Sequence, residues 1–401
     1  MNFQFGIDVL LKDAKLLAHL KTKKVSLLAH PASVTEDLTH TMDALFAKGI
    51  KLVSAFGPQH GIYGEMQYNM LETPDLLDQK FKIPVFSLYG EVRRPSAEAM
   101  QTFDILLIDL QDVGTRIYTY LTTLFYVLEE AVKHRKEIWV LDRPNPAGRP
   151  VEGSLLRPGF KSFVGCAEKL PMRHGLTLGE FANYFKKNFQ MNVDLKVIQM
   201  KNYAPEVAPG YGWPNKSWVN PSPNAPNLSM ARCYPGSVLL EGTHLSEGRG
   251  TTRPLEIVGA PDIDAEKIIS KMFAMRSDWL VGCKLRSCYF EPTFYKYKER
   301  TCSGMQIHVD DPTYYDHQKF KPYRVMALWL KALRELNPDY QIWRNFHYEY
   351  EKDRLAIDII NGSDELRKWV DDSAANPEDL EKVIAQDEKQ WLAARSEHLI
   401  Y

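Results

Sequence analysis

The sequence predicts an α/β protein: a doubly wound parallel sheet in its first part, then a smaller α+β region. Three observations carry this expectation. Short, wholly apolar runs such as "KKVSLLAH", "IKLVSAFGP" and "FDILLIDLQD" read as strands buried on both faces. Helical patterns lie between them, as the crossovers of a parallel sheet require. Each strand then exits into polar or ionisable residues, and in open α/β sheets ligands bind outside those carboxyl ends.

Taken in order, "MNFQFGIDVLLKDAKLLAHLKTKK" predicts one amphipathic helix, with Val9, Leu10, Leu16, Leu17 and Leu20 near helical spacing. "KKVSLLAH" is the first strand, "TMDALFAKG" a helix ending at a glycine, and "IKLVSAFGP" the second strand. "IPVFSLYG" is the third, "SAEAMQT" a short helix, and "FDILLIDLQD" the strongest buried-strand signal. "YTYLTTLFYVLEEAVKHR" is a long amphipathic helix and "EIWVLDRPNP" a further strand. Residues 1–155 form the first expected domain and 156–401 the second. There, Thr177 opens a helix with Glu180 three residues on, a capping box, and "DLKVIQMKNY" is a strand. The segment "YAPEVAPGYGWPNKSWVNPSPNAPNLSMARCYPG" holds too much proline for regular structure and too many aromatics for a solvated linker. An ordered binding or packing segment is expected. "DAEKIISKMFA" and "YRVMALWLKALREL" are helices, "CKLRSCYFEPTF" and "GMQIHVDD" strands.

Composition narrows the function. A formal net charge of −1 over 401 residues, with no basic block longer than "KTKK", gives no field for nucleic acid. No apolar run approaches the ~20 residues of a membrane helix. The N-terminus lacks the basic start and clean apolar core of a signal peptide. The sequence as it stands therefore reads as cytoplasmic, or as periplasmic or secreted if an export signal precedes it. Cys166, Cys233, Cys283, Cys288 and Cys302 form no CxxC pair, so free or buried thiols are expected rather than disulfides or structural zinc.

The strand exits carry His30, then Gln59, His60 and Glu65, then Glu91 and Arg93. After the fourth come Asp109, Gln111, Asp112, Thr115 and Arg116, and after the fifth Asp142, Arg143 and Asn145. The loop "SAFGPQHGIYGEMQYNM" (54–70) does not spell a dinucleotide fingerprint or a P-loop. A metal site would have to be assembled from dispersed residues (His30, His60, Asp109, Asp112). A carboxyl group doing acid–base work suits it better: Glu65 sits beside His60 and Tyr63, and neighbouring aromatics can desolvate a carboxyl and raise its pKa. The other acidic candidates are Glu91, Asp109, Asp112, Asp142, Glu152, Glu241 and Glu247. In "QDVGTRIYTY", Arg116 either pairs with Asp112 or offers its planar fork to a ligand carboxylate or phosphate. "EGTHLSEGRGTTRP" concentrates Glu241, His244, Glu247, Arg249, Thr251 and Arg253 around three glycines and reads as a ligand loop. No G-x-S-x-G or S-x-x-K supports serine catalysis.

Six blocks, "FGPQHGIYGE", "DLQDVGTRIYTY", "LDRPNPAGRPVEG", "PMRHGLTLGEFANYF", "NPSPNAPNL" and "YPGSVLLEGTHLSEGRGTTRPLEIVGAP", resemble the exo-β-N-acetylmuramidases of the NamZ (YbbC) family. The resemblance implies a Rossmann-like domain without a nucleotide, a smaller C-terminal domain, and an active site in the cleft between them. It implies cleavage of N-acetylmuramic acid from the non-reducing end of peptidoglycan fragments, with no cofactor and with Glu65 as catalytic acid. Asp112, Glu247 or the substrate's own acetamido group would act with it. Arg116, Arg143, Arg249 and Arg253 then become candidates to hold the sugar's lactyl carboxylate, and Arg93 a further candidate to bind the sugar. His60, Tyr63, Tyr118, Asn145, Asn224, Asn227, Glu241 and Thr251 complete the expected binding set. Muropeptides or disaccharides are the expected partners.

Overall fold

The computed structural model describes residues 2–64, 66–68 and 70–401. Its strands are β1 (Val25–Ala29), β2 (Leu52–Gly57), β3 (Leu76–Leu77), β4 (Pro84–Ser87), β5 (Ile105–Asp109) and β6 (Glu137–Leu141). There follow β7 (Glu152–Leu155), β8 (Pro171–Arg173), β9 (Asp194–Ile198), β10 (Ile257–Ala260), β11 (Lys284–Phe290) and β12 (Cys302–His308). Among the described residues a seven-stranded sheet runs β3-β4-β2-β1-β5-β6-β9. Every pairing in it is parallel except that of the two-residue edge strand β3, which the sequence did not announce. Strand β9 lies beyond residue 155, so the sheet draws on chain from both sides of that position.

Period-two alternation explains why the strands look wholly apolar. In β1, Val25, Leu27 and Ala29 face one core while Leu28 faces the other; in β5, Ile105 and Leu107 oppose Leu106 and Ile108. The first core is closed by two helices, Gly6–Lys12 and Ala14–Leu20, where the sequence suggests one. Asp13 divides them: its carboxylate accepts the N–H groups of Lys15 and Leu16 and caps the second helix. The expected capping box at Thr177 and Glu180 forms.

The chain is thus a mostly parallel α/β sheet with flanking helices, followed by a smaller domain with an antiparallel sheet, β10-β12-β11. The helix Pro322–Leu336 is buried along most of its length and packs on the helices Leu228–Ser237 and Ala265–Arg276. The last helix, Pro377–Arg395, returns to β7, and Trp391 donates to the His174 carbonyl at 2.8 Å. Tyr401 donates to Asp142 after β6 at 2.8 Å. Four of the five cysteines are buried and all are unpaired. No helix of the described residues is long and apolar enough to cross a membrane.

The strand order reverses between β1 and β5, which makes their carboxyl ends the switch point of the sheet. Internal bonds occupy this point. Asp109, ending β5, is held by the Arg143 guanidinium (Nη2 to Oδ2, 3.0 Å), and Arg143 also donates to the Val34 carbonyl at 2.6 Å. His30 accepts the Gln111 N–H at its Nε2 (2.8 Å), so Nδ1 carries the proton and donates to the Pro221 carbonyl at 3.1 Å. Burial, helped by Arg143, keeps this ring well below the usual histidine range and therefore neutral. Tyr120 donates to the same carbonyl at 2.8 Å. The proline-rich segment is thus seated on the strand ends, an ordered packing element as expected.

Replacing Arg143 by Ala leaves the Asp109 carboxylate buried without its cation. The expected cost is about 3–5 kcal/mol, read as a lowered midpoint in urea unfolding with an unchanged slope.

Candidate active site

A narrow cleft, about 40 Å³ of free interior and about 500 Å³ once its open mouth is counted, lies beside the switch point. Gln59 and His60 reach it from the exit of β2, and Tyr118 and Thr119 from the loop after β5. Ser222, Asn224 and Tyr234 come from the proline-rich segment, Glu241 and Arg249 from the chain that follows it, and Tyr348 and Glu349 from near residue 350. The first two owe their place to a tight turn. Gly61 and Gly64 have φ of 83° and 66°, and a Cβ on Gly64 would lie 2.5 Å from Pro31. His60 shares this left-handed backbone at φ 73°, a cost that an ordinary loop would avoid.

His60 donates from Nδ1 to the Met66 carbonyl at 2.7 Å, which leaves Nε2 as an acceptor. Burial, with Arg249 nearby, pulls its pKa down to about 4 despite that bond. Across the cleft, Glu241 is ion-paired to Arg249 and accepts the Tyr348 hydroxyl at 2.8 Å. Arg249 also faces Glu247 at 3.2 Å, and Lys296 meets the far side of Glu247 at 2.9 Å. Burial opposes the charge on Glu247, but Lys296 and Arg249 outweigh it and hold the carboxyl below its usual range. The Nη1 of Arg249 is buried and has no hydrogen-bond partner among the described residues.

Glu349 differs from both. Both its oxygens accept from the Tyr89 hydroxyl, at 3.0 and 2.9 Å. Burial first, then the proximity of Glu241, push its pKa up to about 7 against the pull of Tyr89, Arg93 and Gln59. Arg93 stacks 4.0 Å over the Tyr89 ring and 4.5 Å over that of Tyr350.

A family model described as exo-beta-N-acetylmuramidase NamZ, N-terminal, matches residues 25–229, and its C-terminal counterpart matches residues 232–401. The chain belongs to the NamZ exo-β-N-acetylmuramidase family. It is 36% identical over 99% of its length to the peptidoglycan beta-N-acetylmuramidase NamZ of Bacillus subtilis (strain 168), covering 91% of that protein. A crystal structure of a DUF1343 family protein from Bacteroides fragilis NCTC 9343 superposes with a TM-score of 0.83 at 28% identity, over 100% of this chain and 99% of that one. A second from the same organism, at 24% identity and a TM-score of 0.75 over the same shares, supports the fold alone.

Against this NamZ background, the cleft brings together five of the residues expected from sequence: His60, Tyr118, Asn224, Glu241 and Arg249. Glu65 lies outside the described residues. Arg93 stands behind the wall, reaching it through Tyr89 and Tyr350. The others are engaged elsewhere. Asp112 does not pair with Arg116: its Oδ2 accepts the Gly114 N–H at 2.6 Å and faces His174 at 3.3 Å. Arg116, fully buried, donates to the carbonyls of Ser154, Leu170, Ile360 and Asn361. Asn145 bonds Leu176 and Ala147, and Thr251 closes a turn on Gly248. Asn227 caps the helix Leu228–Ser237 and, like Arg253, bonds Glu256. Tyr63 is 53% exposed on the outside of its loop and donates to Asp78. Sequence reasoning missed Tyr348, Glu349 and Lys296. The stretch "HYEYEKDRL" shows only alternating aromatics and charge, with no motif to mark it. Among the described residues no three His, Cys, Asp or Glu side chains converge as metal ligands. His30 and Asp109 direct their polar atoms to protein partners, and Asp112 does so with its Oδ2.

A His60 ring held near 4 stays neutral through the physiological range. Its imidazole proton resonances should be flat between about pH 8 and 5.5 in an NMR titration, where an unperturbed ring turns over near 6.5. The unfolded chain binds that proton first, so this histidine's contribution to stability is present above about pH 6.5 and is lost as pH falls towards 4.

Proposed function

We propose that this chain is a glycoside hydrolase releasing N-acetylmuramic acid, one residue at a time, from the non-reducing end of peptidoglycan fragments. The observation that carries the reading is the buried Arg249 on the wall of a cleft lined, among the described residues, by the two carboxyl groups of Glu241 and Glu349. N-acetylmuramic acid bears a lactyl carboxylate, and an arginine on the cleft wall with an unpartnered N–H is the group to receive it. Arg116 and Arg143 are committed to protein groups and Arg253 pairs with Glu256, whereas Arg249 lines the cleft and its buried Nη1 has no hydrogen-bond partner among the described residues. The Tyr118 ring offers a face to the sugar, and Asn224 and the His60 Nε2 offer polar partners to its hydroxyl and acetamido groups.

Hydrolysis needs a proton for the departing sugar oxygen, and Glu65, on the loop that carries His60, is the proposed donor. No cofactor enters this chemistry. The reading also accounts for a neutral His60: a second fixed cation beside Arg249 would add to the binding of any anion and blunt the choice of sugar.

Incubation with the disaccharide N-acetylmuramyl-β-1,4-N-acetylglucosamine, followed by mass, should show free N-acetylmuramic acid, at a rate unaffected by a chelator. Glu65→Gln should retain its melting temperature and lose about 10²–10⁴-fold in kcat. Binding without turnover by the unaltered protein would instead leave a muropeptide-binding protein. Arg249→Lys should raise KM about tenfold or more, since one charge-assisted bond contributes about 1.5–3 kcal/mol.

A further inference from the structure

Besides a proton donor, direct hydrolysis of a glycoside needs a group that takes the proton of the attacking water. Neither carboxylate that the sequence suggested for a partner role is available. Both lie off the cleft lining: Asp112 accepts from Gly114 at its Oδ2, and Glu247 lies between Lys296 and Arg249. Glu241 lines the cleft but carries Arg249 as its counter-ion and Tyr348 as a donor. Glu349 lines the same cleft, is only 7% exposed, and has no ion-pair partner within 4 Å among the described residues. Its carboxyl is held by neutral donors, the Tyr89 hydroxyl and the Gln59 amide. Its backbone sits at φ 47°, a left-handed conformation that a glutamate adopts at a cost and that recurs at functional sites.

Resting on the hydrolase reading above, we propose that Glu349 is the catalytic base of this site. In the step it serves, an O–H bond of water breaks towards the Glu349 carboxylate as the water oxygen bonds to the anomeric carbon. The bond from that carbon to the departing sugar oxygen breaks, and that oxygen takes the acid's proton. Atoms and charge balance, and the sugar leaves with its configuration inverted, as α-N-acetylmuramic acid.

The surroundings suit this role. The ionisable groups facing Glu349 are Tyr89, Arg93, Glu241 and Tyr348. Tyr89 and Tyr348 have their pKa values raised, by burial first, and remain phenols. Burial and Glu241 bring Glu349 itself up to about 7, where a base gives and takes protons most readily. A base must be ionised to act, so the rate should fall as pH drops through about 7.

The test compares the unaltered protein with Glu349→Gln and Tyr89→Phe on the disaccharide, with pH profiles, melting curves and the anomeric form of the fresh product. Glu349→Gln should lose about 10²–10⁴-fold in kcat with KM nearly unchanged, and the acid-side limb of its profile should vanish. A nitrophenyl muramide, whose leaving group needs no proton, should restore Glu65→Gln but not Glu349→Gln. Tyr89→Phe removes a bond that favours the carboxylate, so its limb should move to higher pH. Near-normal kcat in Glu349→Gln, an unmoved limb in Tyr89→Phe, rescue of Glu349→Gln by the nitrophenyl substrate, or a β-anomeric product overturns the proposal while leaving the hydrolase reading in place. Absence of any sugar release by the unaltered protein overturns both.

Discussion

Arg249 lies between two buried carboxylates, and the geometry of the cleft follows from the need to pair that charge. An unpaired ion in such surroundings costs several kcal/mol, so each member calls up the next. Lys296 meets Glu247, Glu247 meets Arg249, and Arg249 meets Glu241. Two cations against two anions leave the group neutral. Glu241 then accepts from Tyr348, whose neighbour Glu349 accepts from Tyr89 beyond the end of β4. The chain of bonds runs from the C-terminal domain to the parallel sheet, so the two halves of the cleft are set against each other by electrostatics as well as by packing. Close turns permit it: Gly248 and Gly250 have φ of 77° and 85°, and a Cβ on Gly250 would stand 2.7 Å from the Phe294 carbonyl.

The switch point between β1 and β5 is where open α/β folds bind ligands, yet here protein fills it. His30, Asp109 and Arg143 are the polar residues expected at strand ends, and all three are consumed in seating the proline-rich segment or closing the sheet. The cleft is displaced to one side, onto Gln59, His60, Tyr118 and Thr119. The proline-rich segment is thus part of what moves the site: its Pro221 carbonyl receives both His30 and Tyr120, and Ser222 and Asn224, just after it, reach the cleft wall.

The layers of the fold were legible because burial on both faces leaves a local mark. A run such as Ile105–Asp109 has few alternatives once it is too short for a helix and flanked by polar turns. The loops of the site were legible as loops, from glycines among ionisable residues. The duties of individual side chains were not. An arginine that forks a substrate carboxylate and one that caps four carbonyls, as Arg116 does, have the same chemistry and differ only in which long-range partners reach them. Glu349 was missed for the same reason: its partner Tyr89 is 260 residues away in the chain. The single N-terminal helix became two because Asp13 satisfies N–H groups locally, a competition that periodicity of leucines does not register.

Among the described residues two glutamates line the cleft, and their surroundings separate them. Glu241 has a guanidinium fixed against it, so the protein has already matched its charge, and losing that charge would strand Arg249. Among the described residues Glu349 has only neutral hydrogen-bond donors at its oxygens, and its charge is opposed by burial and by Glu241. Proton uptake at Glu349 therefore disturbs no ion pair. A carboxyl that must be anchored and one that must change its charge cannot occupy the same environment, and the cleft supplies one of each. An anionic sugar entering it adds a negative charge, which would push the Glu349 proton affinity higher unless a cation answered it. In the proposed complex Arg249, whose buried Nη1 has no partner among the described residues, answers that charge and ties recognition of the sugar's carboxylate to the ionisation of the group across the cleft.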